Sequence, residues 1–229
     1  DIRDLRNPVL TGELELPTQP NGLGTESHDV TFTADGLRGY TAALSQSLVL
    51  DTSDPGQPTV ISQIVDPQVN VHHQADPVTI DGVPYVVLTD ELAGAAGSPC
   101  PGGGLHVYDL SNEEQPQKVG YWAIPEFRPA GTGTGNGESL TCTSHVLRFH
   151  EAEEIMTIAW YNAGVWVVDI SDIDGVTQGI GGQEAPLPGM KTLGFRYFED
   201  SDTWSAKTPR IEADGSLYLY GNDIARGLD

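Results

Sequence analysis

Three histidines, a lysine and a set of carboxylates and amides recur at corresponding points of this 229-residue chain. His28 and Lys207 each stand seven residues before the Asp of an Asp-Gly pair, at Asp35-Gly36 and Asp214-Gly215. His73 stands eight residues before Asp81-Gly82. His72 directly precedes His73, and His145 is placed by its Ser144-His145 pair alone, which matches Ser27-His28. Imidazoles delivered from several points beside carboxylates suit a transition metal such as Zn, Cu, Ni or Fe. His28, His72, His73 and His145 are therefore candidate metal ligands. Lys207 would disfavour a fourth ligand and leave room for water or an anion. Asp90, Glu91, Tyr161, Asn162, Asn222 and Asp223 lie where the chain returns toward those histidines, and are candidate ligand-binding residues. Asp29, Asp76 and Asp90 could orient the rings. The competing reading is a wet, polar channel mouth whose histidines bond neighbouring backbone and which binds a small molecule or a protein. His106 and His150 fall outside the pattern and read as surface residues.

A repeat must position these groups. An apolar strand ending in Asp and followed by a polar turn occurs as Leu48-Val-Leu-Asp-Thr-Ser-Asp-Pro, as Leu105-His-Val-Tyr-Asp-Leu-Ser-Asn and as Val165-Trp-Val-Val-Asp-Ile-Ser-Asp. The chain opens on the same phrase, Asp1-Ile-Arg-Asp-Leu-Arg-Asn-Pro, and ends at Arg226-Gly-Leu-Asp229, where it should begin again. Upstream of each phrase lies a polar opening, a strand, a turn and a second strand. Asp35-Gly36, Asp81-Gly82 and Asp214-Gly215 read as hairpin turns, because Gly tolerates positive φ. Each copy supplies about four strands, and four-stranded units repeated at such spacing describe the blades of a β-propeller. The expected fold is all-β, with four to five blades or a fragment of a larger ring. The blade units are 1–27 (partial), 28–66, 67–125, 142–198 and 204–229 (partial). Residues 92–104, 125–141 and 172–192 are Gly/Pro-rich inserts. In a propeller the first strand of each blade lines the channel, so the opening residues and the loops after the second strands share one face.

Composition narrows the function. Acidic residues number 33 against 11 basic, for a net charge of −22. Phosphate backbones select Lys and Arg, so nucleic acid is excluded as a partner, and anionic lipid with it. No apolar run is long enough to span a membrane as a helix. Cys100 and Cys142 sit in Gly/Pro/Ser/Thr-rich surroundings without a C-x-x-C, and are expected to form a disulfide across adjacent blades. Carboxylates cluster at Asp51–Asp54, Asp169–Asp174 and Glu199–Asp202, but without EF-hand spacing. Ca²⁺ is thus the weaker metal choice, and Asp closing a turn through its own backbone is preferred.

The Asp-ended phrases at 48–55, 105–112 and 165–172, with His28-Asp29-Val30 opening a blade, resemble the LVIVD-repeat β-propellers. The C-terminal Tyr220-Gly-Asn-Asp-Ile-Ala-Arg-Gly-Leu-Asp229 is similar to the last blade of secreted actinobacterial members. The resemblance implies an exported propeller and leaves the chemistry open. Three functions follow: a secreted binding or scaffold propeller, a metal-dependent oxidoreductase-like enzyme using the mouth histidines, and a subunit of an extracellular assembly.

Overall fold

Blocks of β-branched and aromatic residues between Gly, Pro and Asp turns leave no room for helices, and antiparallel sheet results. The computed structural model describes residues 1–18, 24, 26–91, 101–125, 142–174 and 189–229. The first sheet runs β1 (Asp29–Phe32), β2 (Arg38–Ala42), β3 (Ser47–Asp51), β4 (Thr59–Ile64). The second runs β5 (His72–Ile80), β6 (Val83–Asp90), β7 (Gly104–Asp109), β8 (Gln117–Trp122). The third runs β9 (Leu147–His150), β10 (Ile155–Ala159), β11 (Val165–Asp169), β12 (Lys191–Arg196). The fourth has three strands, β13 (Thr203–Lys207), β14 (Tyr220–Asp223) and β15 (Gly227–Leu228). Each sheet is an antiparallel meander. Their first strands are neighbours in turn: β1 and β2 pack on β5, β5 on β9, and β9 and β10 on β13. These are four blades of a β-propeller, as the repeat predicts.

The turns behave as the residues dictate. Gly36 has φ 72°, Gly215 has φ 83°, and Asp81-Gly82 has positive φ at both positions (50° and 79°). Two positive φ values are the signature of the tight turn whose twist matches a hairpin. The third copy, which lacks Gly, reverses instead through a single 3₁₀ turn, Glu151–Glu153, ended by Glu154 in the left-handed region. The repeat Asp residues close their own turns: Asp51, Asp109 and Asp169 accept from the amides of Ser53, Ser111 and Ser171 at 2.9, 2.6 and 2.9 Å.

The core lies between blades. Tyr40, Ala42 and Val49 of the first blade meet Ala75, Val86, Leu88 and Tyr108 of the second. Val87, Leu105, Val107 and Trp122 of the second meet Leu147, Met156, Ile158 and Trp160 of the third. Each fully buried aliphatic side chain contributes about 1.5–3 kcal/mol, so these interfaces fix the angle between blades. Of the expected disulfide, Cys142 is buried and is not a free cysteine. Cys100 lies outside the described residues, as do 92–99, 126–141 and 175–188 of the expected inserts.

Candidate functional site at the channel mouth

Three imidazoles from three successive blades meet at one end of the channel. The His28 and His73 rings are 4.4 Å apart between centroids, and His73 and His145 are 4.2 Å apart. Trp204 continues the row from the fourth blade, 4.4 Å from His145. The row exists because each residue stands just before, or second in, the first strand of its blade. His28 donates its Nδ1–H to the carbonyl of His73 (3.1 Å), and His145 donates to that of Trp204 (2.5 Å). A carbonyl can only accept, so Nδ1 of both rings carries a proton, and in His145, kept neutral by burial, Nε2 carries a lone pair. His145 Nε2 is buried and has no hydrogen-bond partner.

Glu91 completes the site from the loop after β6. Its Oε2 is 3.5 Å from His73 Nε2 and its Oε1 is 3.8 Å from His145 Nε2. Tyr161, on the loop after β10, donates its hydroxyl to Glu91 Oε1 at 2.5 Å. One ligand atom from each of His73, Glu91 and His145 lies within 4.8 Å of the others. Burial holds both imidazoles neutral: the His73 pKa falls to about 3, helped by repulsion from His145 and His28. That of His145 falls below its usual range for the same first reason. Burial and the Glu91 bond push the Tyr161 hydroxyl far up, so it stays a donor. Two neutral imidazoles and a carboxylate are the donor set of many transition-metal sites, and the residues present fit such an ion. The carbonyl bond to Nδ1 supplies the orienting contact such a ligand needs for His145, while His73 Nδ1 is buried without a hydrogen-bond partner.

Several expected site residues stand elsewhere. His72 is a correction: consecutive strand residues face opposite sides, so it turns away from His73 and meets Ser47 Oγ at 2.8 Å between blades one and two. Lys207 is a second correction. It is exposed at the far end of β13, paired with Tyr220, and Trp204 holds the mouth position. Residues 208–210 separate β13 from the Ile211–Leu217 hairpin, so counting back from Asp214-Gly215 lands three residues too late. Asp90 and Asp223 tie loops rather than face the channel. Asp90 accepts from the amides of Asn70 and Val71, and Asp223 from those of Asp202, Ala225 and Arg226. Asn162 is buried with its Oδ1 unpartnered, while Asn222 is exposed on β14. Asp76 is held by Thr31 and Gln74, not by a histidine.

Sequence reasoning missed one polar cluster entirely. His106, expected at the surface, is 1% exposed. Its Nδ1 accepts from Lys118 Nζ at 2.9 Å, and the same ammonium binds Asp66 (2.6 Å) and Gln68 (2.7 Å). Burial works to raise the Asp66 pKa, but Lys118 and the Tyr108 hydroxyl outweigh it and hold it at about 2. No spacing announced this group, because its members come from three separate segments.

No family model and no curated protein matches the chain. Solved structures do. Sqt1 of Saccharomyces cerevisiae superposes on 88% of this chain with TM-score 0.56 and 10% identity, the match spanning 42% of Sqt1. A Bacteroides fragilis protein provisionally assigned as a 6-phosphogluconolactonase matches 75% of the chain and 43% of its own, at 15% identity and TM-score 0.46. A luciferin-regenerating enzyme matches 84% and 54%, at 14% identity and TM-score 0.36. The chain thus spans less than two thirds of each of these proteins. The likeness to Sqt1 shows the propeller fold and nothing of its chemistry. No helix among the described residues is long and apolar enough to cross a membrane.

Proposed function

We propose that this propeller is a scaffold that binds one divalent transition-metal ion at its channel mouth, through His73, His145 and Glu91. The observation that carries the reading is the convergence of one donor atom from each within 4.8 Å. His28, whose Nε2 is left free by its Nδ1 bond to His73, stands beside them as a further ligand or as a wall of the open position. The net charge of −22 favours cation uptake over anion uptake. The bound ion would act as a Lewis acid toward a small ligand entering past Tyr161 and Trp204. Export is part of the same proposal, and its support is the Asp-ended repeat phrase shared with LVIVD-type propellers.

The test is metal analysis of the chain after chelation and reloading with Zn²⁺, Cu²⁺ or Ni²⁺ in turn. One equivalent per chain is expected, and His145→Ala and Glu91→Gln should each weaken uptake by about tenfold or more. Substoichiometric metal that neither substitution changes would sink the proposal.

A further inference from the structure

The first strands of blades two and four open with the same irregularity. His72 pairs with Asp90 and Gln74 with Thr89, so His73 has no counterpart on β6. Thr203 pairs with Asp223 and Ser205 with Asn222, so Trp204 has none on β14. Each is a bulge, an extra residue that bends its strand and re-aims a side chain. In blades one and three the first two strands pair without one.

Both bulges are held by an aspartate at the end of the second strand. Asp90 Oδ1 accepts from the amides of Asn70 and Val71, each at 2.9 Å, and Oδ2 from the Asn70 side chain at 2.8 Å. Asp223 Oδ2 accepts from the Asp202 amide at 2.8 Å and the Thr203 hydroxyl at 3.0 Å. The residue after each aspartate closes the same ring. Glu91 N donates to the Val71 carbonyl at 3.1 Å, and Ile224 N to the Asp202 carbonyl at 2.9 Å. Both aspartates are buried, at 2% and 3% exposure. The second strands of blades one and three end instead on Ala42 and Ala159.

The joint to the preceding blade repeats too. Leu44 pairs with His72 and Tyr161 with Thr203. Leu44 and Tyr161 share a positive φ, 57° and 37°, which residues other than glycine seldom adopt. The carbonyl of each bulge residue then receives the ring of that blade: His73 O accepts from His28 Nδ1, and Trp204 O from His145 Nδ1. Leu44, His73 and Asp90 thus match Tyr161, Trp204 and Asp223. What the two joints share is a buried aspartate at one end and an oriented imidazole at the other.

We propose that Asp90 and Asp223 are positioning residues of the channel mouth: each carboxylate holds a bulge whose carbonyl fixes the imidazole of the preceding blade, Asp90 acting on His28 and Asp223 on His145. The use of this device rests on the metal reading above, since a neutral ring protonated at Nδ1 offers Nε2 to an ion. Asp90 bears on the other ligands as well. Its bulge carries His73, and Glu91 follows it in the chain. Its carbonyl accepts from the hydroxyls of Thr143 (3.2 Å) and Ser144 (2.7 Å), just ahead of His145.

Nitrogen NMR of the imidazoles in the metal-free, isotope-labelled chain, above about pH 8 where a free ring is neutral, tests the positioning by itself. In the wild type His28 and His145 should both be in the Nδ1–H form. Asp90→Asn should release His28 to the mixed tautomers of a free ring and leave His145 as it was. Asn70→Ala, a milder change at an exposed residue, should do the same and decides the matter if Asp90→Asn does not fold. Asp223→Asn should release His145 and leave His28. Titration with Zn²⁺ reads the consequence, with affinity about tenfold weaker in Asp90→Asn and in Asp223→Asn. Rings that keep the wild-type tautomers in all three variants overturn the proposal, even where the melting temperature falls or Zn²⁺ binding weakens. Rings that change as expected in a chain whose wild type takes up no Zn²⁺ uphold the positioning and overturn the metal reading alone.

Discussion

The Nδ1–H of His145 is donated to the backbone carbonyl of Trp204 at 2.5 Å, and this bond turns the Nε2 lone pair toward Glu91. The neighbouring blade thus chooses the tautomer of the ring it supports. His28 stands in the same relation to His73. The mouth is assembled by inter-blade contacts, and a change in blade packing would change its chemistry.

Tyr161→Phe removes the hydroxyl that holds Glu91 Oε1 and keeps the ring against His145. Metal affinity should fall about tenfold, the usual cost of losing an orienting partner. Calorimetric titration with Zn²⁺ checks it, and unchanged affinity would show that Glu91 needs no such support. The melting temperature of the metal-free variant should stay close to that of the parent.

Lys118→Met leaves Asp66, Gln68 and His106 without their shared ammonium. Lys118 is exposed while the Asp66 side chain is only 10% exposed, so removing the ammonium strands a mostly covered carboxylate, and the expected loss is about 1–3 kcal/mol. Urea unfolding of the variant and of Lys118→Met combined with Asp66→Asn measures it. The double variant should recover part of the loss, since no unpaired carboxylate remains.

Acid should destabilise the fold before its carboxylates titrate. Burial lowers the His72 pKa to about 4 from 6.5, and burial with Lys118 lowers that of His106 to about 3. Between those values and 6.5 the unfolded chain binds more protons, so stability is full above about 6.5 and falls as pH drops. Each ring should account for about 2 kcal/mol by about pH 5. The raised carboxyls of Asp76 and Asp90 act in the opposite sense. The readout is therefore the slope of stability against pH, which should be shallower in His72→Asn and His106→Asn. Equal slopes would mean that these rings titrate normally.

Peptide mapping without reductant should recover a cross-linked Cys100–Cys142 peptide. Reduction should lower stability by about 3–4 kcal/mol, the entropy of a closed loop in the unfolded chain. Two alkylated thiols would count against the bridge.

The blade repeat and the histidine row were legible in the residues themselves. Asp-Gly pairs demand positive φ, and alternating β-branched residues demand half-buried strands. Both are local requirements, so strand, turn and blade order could be read along the chain, and His28, His73 and His145 fell together because each opens a blade. Tertiary structure decided what local counting cannot reach. His72 and His73 look equivalent in sequence, but the two faces of β5 send one between blades and the other to the mouth. Lys207 lost its place because residues 208–210 shift the fourth hairpin, a change visible only when β13 pairs with β14. Glu91, expected like Asp90 to bind a small ligand, stands instead against His73 and His145 as a metal-ligand candidate, while Asp90 ties a loop. The Asp66–His106–Lys118 group had no signature at all, because burial of charge depends on which distant segments the packed blades bring within reach of one ammonium.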